Sequence, residues 1–278
     1  MQPIILSSDP EFDALDTAFS LMIKVRWLSQ ESYRAGTLTL LRECTTIQQL
    51  DAVQHVLEKL KYCTSRDLQE AAIDAADAIL NGWQLLPQET LVVGLAEGSK
   101  TCGSTAYVRA IEVNLPRSWA DSIWTTFDSA YRHRNSKKNL VIIDDFVGTG
   151  EKLSKKIKRV RENPKTKDYL IHVIVFAGLN KGLTLVANEV DNLIQAHIFL
   201  DKSIEDIQPH AKREDLYKAI SELEKNIFQN PGKYSLGYLQ SEASFYLEGA
   251  NMPNNNFPVL WWDKYADETD RPTLFRRR

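Results

Sequence analysis

From residue 10 to about 86 apolar residues recur every three or four places, the period of a helix with one buried face. Asp9-Pro10 sets an acceptor side chain ahead of a proline, a pattern that opens helices. Phe12, Leu15, Phe19, Met22 and Ile23 then share a face and are expected to form its buried side. Thr46 opens a second clear helix, carried by Ile47, Leu50, Val53, Leu57 and Leu60. Ser65 opens another with Leu68, Ala72, Ala75, Ala76 and Ile79 on its inner side, and Gly82 is a suitable stop. The period changes at Thr90. Leu91-Val-Val-Gly-Leu95, Leu140-Val-Ile-Ile143, Leu170–Phe176 and Leu193–Leu200 are apolar runs of strand length.

Between these runs the spacing is helical again. Residues 104 to 112 read as helical or irregular, Trp119 to Tyr131 as helix, the stretch after Gly150 as helix, and Gly182 to Glu189 as helix. Leu216, Ile220, Leu223 and Ile227 mark an amphipathic helix over residues 211 to 229, closed by Asn230-Pro231-Gly232. Strands alternating with helices imply an α/β fold, with a parallel sheet covered by helices on both faces. The expected division is a helical N-terminal region, residues 1–87, and an α/β domain, residues 88–278.

The chemistry concentrates at Leu140-Val-Ile-Ile-Asp144-Asp145-Phe146-Val147-Gly148-Thr149-Gly150-Glu151-Lys152. A buried strand leads to two carboxylates, then a turn of small residues, then a helix. Backbone N–H groups at a helix start hold phosphate oxygens. Carboxylates just ahead of them accept hydrogen bonds from sugar hydroxyls. Successive strand residues face opposite ways, so the two acids do the same work only if the strand has already ended. A nucleotide P-loop is excluded, because Leu153 stands where Ser or Thr must follow Lys152.

At these residues the chain resembles the type I phosphoribosyltransferases, and within them the divergent branch found in bacterial conflict and antiphage systems, some of it retron-associated. The resemblance covers about residues 90 to 200 and again 255 to 276. It implies that Asp144 and Asp145 are the catalytic pair, one on the 2′ and 3′ ribose hydroxyls and the other near the anomeric carbon. Phe146, Val147, Gly148, Thr149, Gly150, Glu151 and Lys152 are then the ribose-5-phosphate loop, and Glu97, Gly98, Ser99 and Lys100 the pyrophosphate loop. It further implies Mg²⁺ held through the pyrophosphate, with no direct protein ligand. The ligand would be phosphoribosyl pyrophosphate or a nucleotide, the chemistry pentosyl transfer, and the role an effector or sensor in antiphage defence. The sequence departs from the family where Gly148 replaces Ser or Thr and Lys152 replaces Thr, which removes phosphate-binding hydroxyls and puts turnover in question. The competing expectation is a non-catalytic interaction module, assembling with a reverse transcriptase, nucleic acid or a partner effector.

Charge and composition narrow this only slightly. A formal net charge of −3 over 278 residues does not suggest a whole-protein nucleic-acid binder. Lys152, Lys155, Lys156, Lys158, Arg159 and Arg161 line one helix face, either as solvated surface or as a patch for nucleic acid or an acidic partner. Cys44, Cys63 and Cys102 make no disulfide framework and no zinc spacing, which suits a reducing cytoplasm. No basic N-terminal region precedes an apolar core, and no run reaches the ~18 apolar residues of a membrane span. The five histidines show no metal spacing, and His172 and His197 read as packed strand residues. Trp261, Trp262 and Phe275 are either core of the terminal segment or, by resemblance, an aromatic hood over the sheet edge.

Overall fold

A computed structural model describes residues 10–96, 103–132, 137–192, 194–207, 210–228 and 230–277. The elements are α1 (Pro10–Lys24), α2 (Glu31–Arg42), α3 (Ile47–Lys59), β1 (Lys61–Cys63), α4 (Ser65–Asp77), β2 (Thr90–Ala96), α5 (Gly103–Asn114), β3 (Ile123–Thr126) and α6 (Phe127–Tyr131). They continue with β4 (Asn139–Val147), α7 (Glu151–Glu162), β5 (Leu170–Leu179), α8 (Asn180–Ala187), β6 (Gln195–Leu200), α9 (Arg213–Phe228) and β7 (Phe245–Leu247). The chain forms two compact units. One comprises Met1–Tyr62, Lys202–Tyr246 and Asn251–Arg278; the other comprises Cys63–Asp201 and Leu247–Ala250. The boundary expected at residues 87 and 88 therefore falls inside the second unit. Periodicity identifies helices but not their packing partners. The Ala71, Ala72, Ala75 and Ala76 face of α4 is buried, and Ala71 O accepts from the Tyr107 hydroxyl of α5 at 3.2 Å, within the sheet's unit.

In the first unit α2, α3 and α9 pool Leu40, Leu41, Val53, Leu57, Ile220 and Leu223 into one core. Thr46 caps α3 by accepting the Gln49 N–H at 3.3 Å. The terminal segment belongs to this core: Phe257, Leu260 and Phe275 are fully buried, and Phe275 lies 4.2 Å from Tyr246 between ring centroids. Core packing is thus the role these aromatics play within their unit. Arg271, also buried, forks onto Glu43 at 2.8 and 2.7 Å and donates to the Val259 and Trp262 carbonyls. Gly36 lets the tail cross α2, since a Cβ there would overlap the Thr273 carbonyl.

On α1 the expected inner face is outside. Leu15, Phe19 and Ile23 are 40%, 68% and 81% exposed, while Ala18 and Leu21 are buried, as is Val25 just past the helix, and Met22 is partly covered. The helix carries apolar residues on more than half its circumference, so spacing alone cannot choose. The small side chain of Ala18 marks the side that admits close approach. Asp9 and the Phe12 side chain lie outside the described residues.

Two buried glutamates grip the chain after α9. Glu224 accepts from the Ser235 hydroxyl at 2.7 Å and the Leu236 N–H at 3.0 Å, and burial pushes its carboxyl up to about 7. Glu242 accepts from Lys202 Nζ, the Tyr217 hydroxyl and the N–H groups of Ile204 and Glu205. The connecting turn is tightly wound: Leu236, Leu239, Gln240 and Glu242 have φ of +56°, +54°, +55° and +51°.

The second unit is an α/β fold. Its five strands run parallel in the order β3-β2-β4-β5-β6. The register pairs Leu91 with Leu140 and Ile142 with Val173, which aligns one apolar layer across the sheet. Leu153, Ile157 and Val160 of α7 and Leu183 and Val186 of α8 pack on that layer. On the other face the Tyr107 ring of α5 meets Phe176 at 5.7 Å. The helix expected over Trp119–Tyr131 is instead the end of a 3₁₀ helix (Arg117–Ser122), the edge strand β3 and the short α6. Ile123-Trp-Thr-Thr126 is a run of β-formers, and pairing of Val92 with Ile123 outweighs a weak helical spacing. Among the described residues no helix is long and apolar enough to cross a membrane.

Candidate functional site

The site is built at the carboxyl end of β4, the central strand, where parallel sheets of this kind bind ligands. β4 runs on through Val147, so both acids lie within the strand. Pairing of Asp144 with Val175 keeps alternate residues on alternate faces. Asp144 therefore belongs to the face covered by α7 and α8, and Asp145 to the face covered by α5. Asp144 is 4% exposed, and its Oδ1 accepts the Asp145 N–H at 3.1 Å. Asp145 is half-buried, and its carboxylate accepts the Ser104 N–H at the start of α5. Burial drives both carboxyl groups above the usual carboxylate range, Asp144 furthest, while the Lys152 ammonium pulls each back.

The turn follows directly. Phe146 and Thr149 are half-buried; Val147, Gly148 and Gly150 are buried. Gly150 has φ +83°, open to glycine and strained for other residues. That twist starts α7, whose first N–H groups have no partners within the helix. The Glu151 N–H makes a long contact, 3.5 Å, with Thr149 Oγ1, and the Ser154 N–H closes onto the Gly150 carbonyl at 2.9 Å. The turn is braced from α8. A Cβ on Gly182 would overlap the Gly148 carbonyl oxygen, so backbone lies against backbone there. Ser154 adds a second tie by donating to Glu189 at 2.6 Å.

The structure thus brings Asp144, Asp145 and residues 146 to 152 together as one strand end, turn and helix start. Glu97, Gly98, Ser99 and Lys100 lie outside the described residues. Sequence reasoning missed Gly103, Ser104 and Gly182. A Cβ on Gly103 would overlap the Asp145 carboxylate, as one on Gly182 would overlap the turn. Two glycines in the first turns of helices were the available signal, since glycine is unfavourable inside a helix without a packing reason.

Most of the basic face of α7 is engaged locally. Lys155 pairs with Glu151 at 3.7 Å, Lys158 with Glu162 at 3.8 Å, and Arg161 with Asp191. Lys156 sits over the Phe127 ring at 5.7 Å. Lys152 and Arg159 are exposed. His172 is buried between Asn139 and Asn192 against Trp83, and burial lowers its pKa; the His197 ring stacks on Phe176. Among the described residues no three His, Cys, Asp or Glu side chains group to hold a metal.

No curated protein matches the chain. A solved structure of a hypothetical protein from Neisseria gonorrhoeae with bound ppGpp is similar at 11% identity and a TM-score of 0.36, over 58% of this chain and 97% of its own. That likeness is too weak to carry over a ligand. One family model, PRTase-CE, matches residues 25–277.

Proposed function

Because the chain belongs to the PRTase-CE family, a phosphoribosyltransferase-like family, we propose that its β4 site binds the ribose-5-phosphate part of phosphoribosyl pyrophosphate or of a nucleotide. One observation carries the reading: two acids end the central strand and lead straight into a Gly-Thr-Gly turn whose left-handed Gly150 launches α7. In this reading the unpaired N–H groups at the start of α7 take the phosphate, helped by the positive end of the helix. Lys152, exposed beside them, adds charge where the resembled family has a hydroxyl. Asp145 takes a ribose hydroxyl. Asp144, closed off from solvent, is the acid nearer the anomeric carbon in this reading, and it orients Asp145 by accepting the Asp145 N–H. Pyrophosphate binding by Glu97, Gly98, Ser99 and Lys100 stays part of the proposal.

Mg²⁺ fits this donor set as an ion carried by the ligand. It is a hard cation that takes one or two carboxylates at most and otherwise keeps phosphate oxygens and water. Bound in that way, it would neutralise a departing pyrophosphate. Isothermal calorimetry with phosphoribosyl pyrophosphate and Mg²⁺ tests the assignment. We expect saturable binding by the natural chain and a loss of at least tenfold in affinity in Asp144→Asn and Asp145→Asn, the size expected for removing charge-assisted hydrogen bonds. Absence of binding, or equal binding by both variants, would overturn it.

The biological role we attach, an effector or sensor of retron-type antiphage defence in the cytoplasm, rests on the sequence resemblance. The second reading, a module docking on a reverse transcriptase, nucleic acid or a partner effector, draws on the exposed face of α7. Glu151, Glu162 and Asp191 neutralise much of that face, which favours the first reading. Charge reversal of Lys155, Lys156 and Arg159 that left nucleic-acid and partner retention unchanged would remove the second.

A further inference from the structure

We propose that the ligand-free protein holds its own site latched: Asp145 caps α5 through the Ser104 N–H, and it must leave that cap before it can reach a sugar hydroxyl. The inference rests on the ribose-phosphate reading and adds its regulation.

Three observations meet at this contact. The first N–H groups of a helix find no acceptor inside it, and at the start of α5 the Asp145 carboxylate is that acceptor. Ser104 is fully buried, so an amide released from Asp145 has no water waiting for it. Residue 103 has no side chain, and a Cβ there would overlap both Asp145 Oδ2 and its carboxyl carbon. The carboxylate is therefore seated hard against the helix start, in a space that the absence of a Cβ creates.

In the proposed latch the two duties exclude each other. Asp145 lies on the α5 face of the sheet, whereas the Gly148–Gly150 turn leads into α7 on the other face. A carboxylate turned toward a ribose whose phosphate sits on that turn points away from Ser104. Binding then carries the loss of one buried charge-assisted hydrogen bond, which lowers the apparent affinity by roughly fivefold to a hundredfold.

Amide hydrogen exchange on the full chain, followed at Ser104, tests this together with calorimetry. In the ligand-free natural protein the Ser104 amide should be protected, and Asp145→Ala should speed its exchange at least tenfold. Ribose 5-phosphate should speed it in the natural protein as well, by drawing Asp145 away. Gly103→Ala, which forces the carboxylate off the helix, should bind phosphoribosyl pyrophosphate about fivefold more tightly or better. Equal Ser104 exchange in the natural protein and Asp145→Ala overturns the latch without any ligand, and so covers a Gly103→Ala chain that fails to fold. Binding with unchanged Ser104 exchange and no gain in Gly103→Ala overturns the latch but leaves the ribose-phosphate reading standing. No binding by the natural chain overturns both.

Discussion

Glu224 shows what one buried carboxyl does to the protein. It is fully buried, faces two donors from Ser235 and Leu236, and burial raises its pKa from 4.5 to about 7. A carboxyl raised on folding favours the native state when protonated. Its stabilising share is complete below the unfolded value near 4.5 and is lost as pH rises to about 7. The loss should amount to roughly 3 kcal/mol once the window is crossed, at about 1.4 kcal/mol per unit. Thermal unfolding of the natural chain and Glu224→Gln from pH 5 to 8 should show the natural midpoint falling relative to the variant; parallel curves would refute this. Nothing in the sequence around Glu224 announces it, because an acid at a helical position reads as solvated. Asp144 and Asp145 were legible for the opposite reason: strand, acids and turn are contiguous, so the local pattern contains the arrangement. Gly103 and Gly182 act across the fold on residues 42 and 34 positions away, and no local pattern encodes that.

At the level of elements, α8 sets the shape of the phosphate turn. Its Gly182 meets the Gly148 carbonyl with no room for a methyl group, and both partners are backbone. Gly182→Ala should therefore shift the turn, weaken phosphoribosyl pyrophosphate binding at least tenfold by calorimetry, and destabilise by about 1–3 kcal/mol as overpacking does. Unchanged affinity in a folded Gly182→Ala would show that the turn is not the phosphate seat. Elements with one apolar stripe were readable: α3 begins after its expected cap Thr46, α4 begins at Ser65, capped by Thr64, and α7 buries Leu153, Ile157 and Val160 as its spacing requires. α1 has two candidate stripes, and β3 is four residues at a sheet edge. Tertiary contacts, not spacing, decide both.

For the whole molecule, the first unit is assembled from three separated stretches of chain. Leu40, Leu41 and Leu57 are fully buried in a core shared with Leu223, Phe257 and Phe275, and Glu43 neutralises buried Arg271. A chain beginning at residue 63 should leave Arg271 unpaired, at a cost of about 3–5 kcal/mol, besides uncovering this core. Its residues 202 to 277 should become protease-sensitive and bind a hydrophobic dye, while 63 to 201 persist. Equal protease resistance over 202 to 277 would contradict the assignment. This division was illegible in sequence because strand and helix patterns report local period, whereas membership of a core is a long-range property.

The interrupted path of that first unit also sets a schedule on the ribosome. Residues 10 to 62 emerge early, yet the segment that completes their core begins roughly 140 residues later. At about 5–20 residues per second, the nascent helices wait on the order of ten seconds with their apolar faces uncovered. The sheet's unit, all but a few of whose residues are translated in between, can close meanwhile. Translation pauses within residues 63 to 201 would lengthen that exposure, so the yield of folded protein should depend on elongation rate there more than anywhere else in the message.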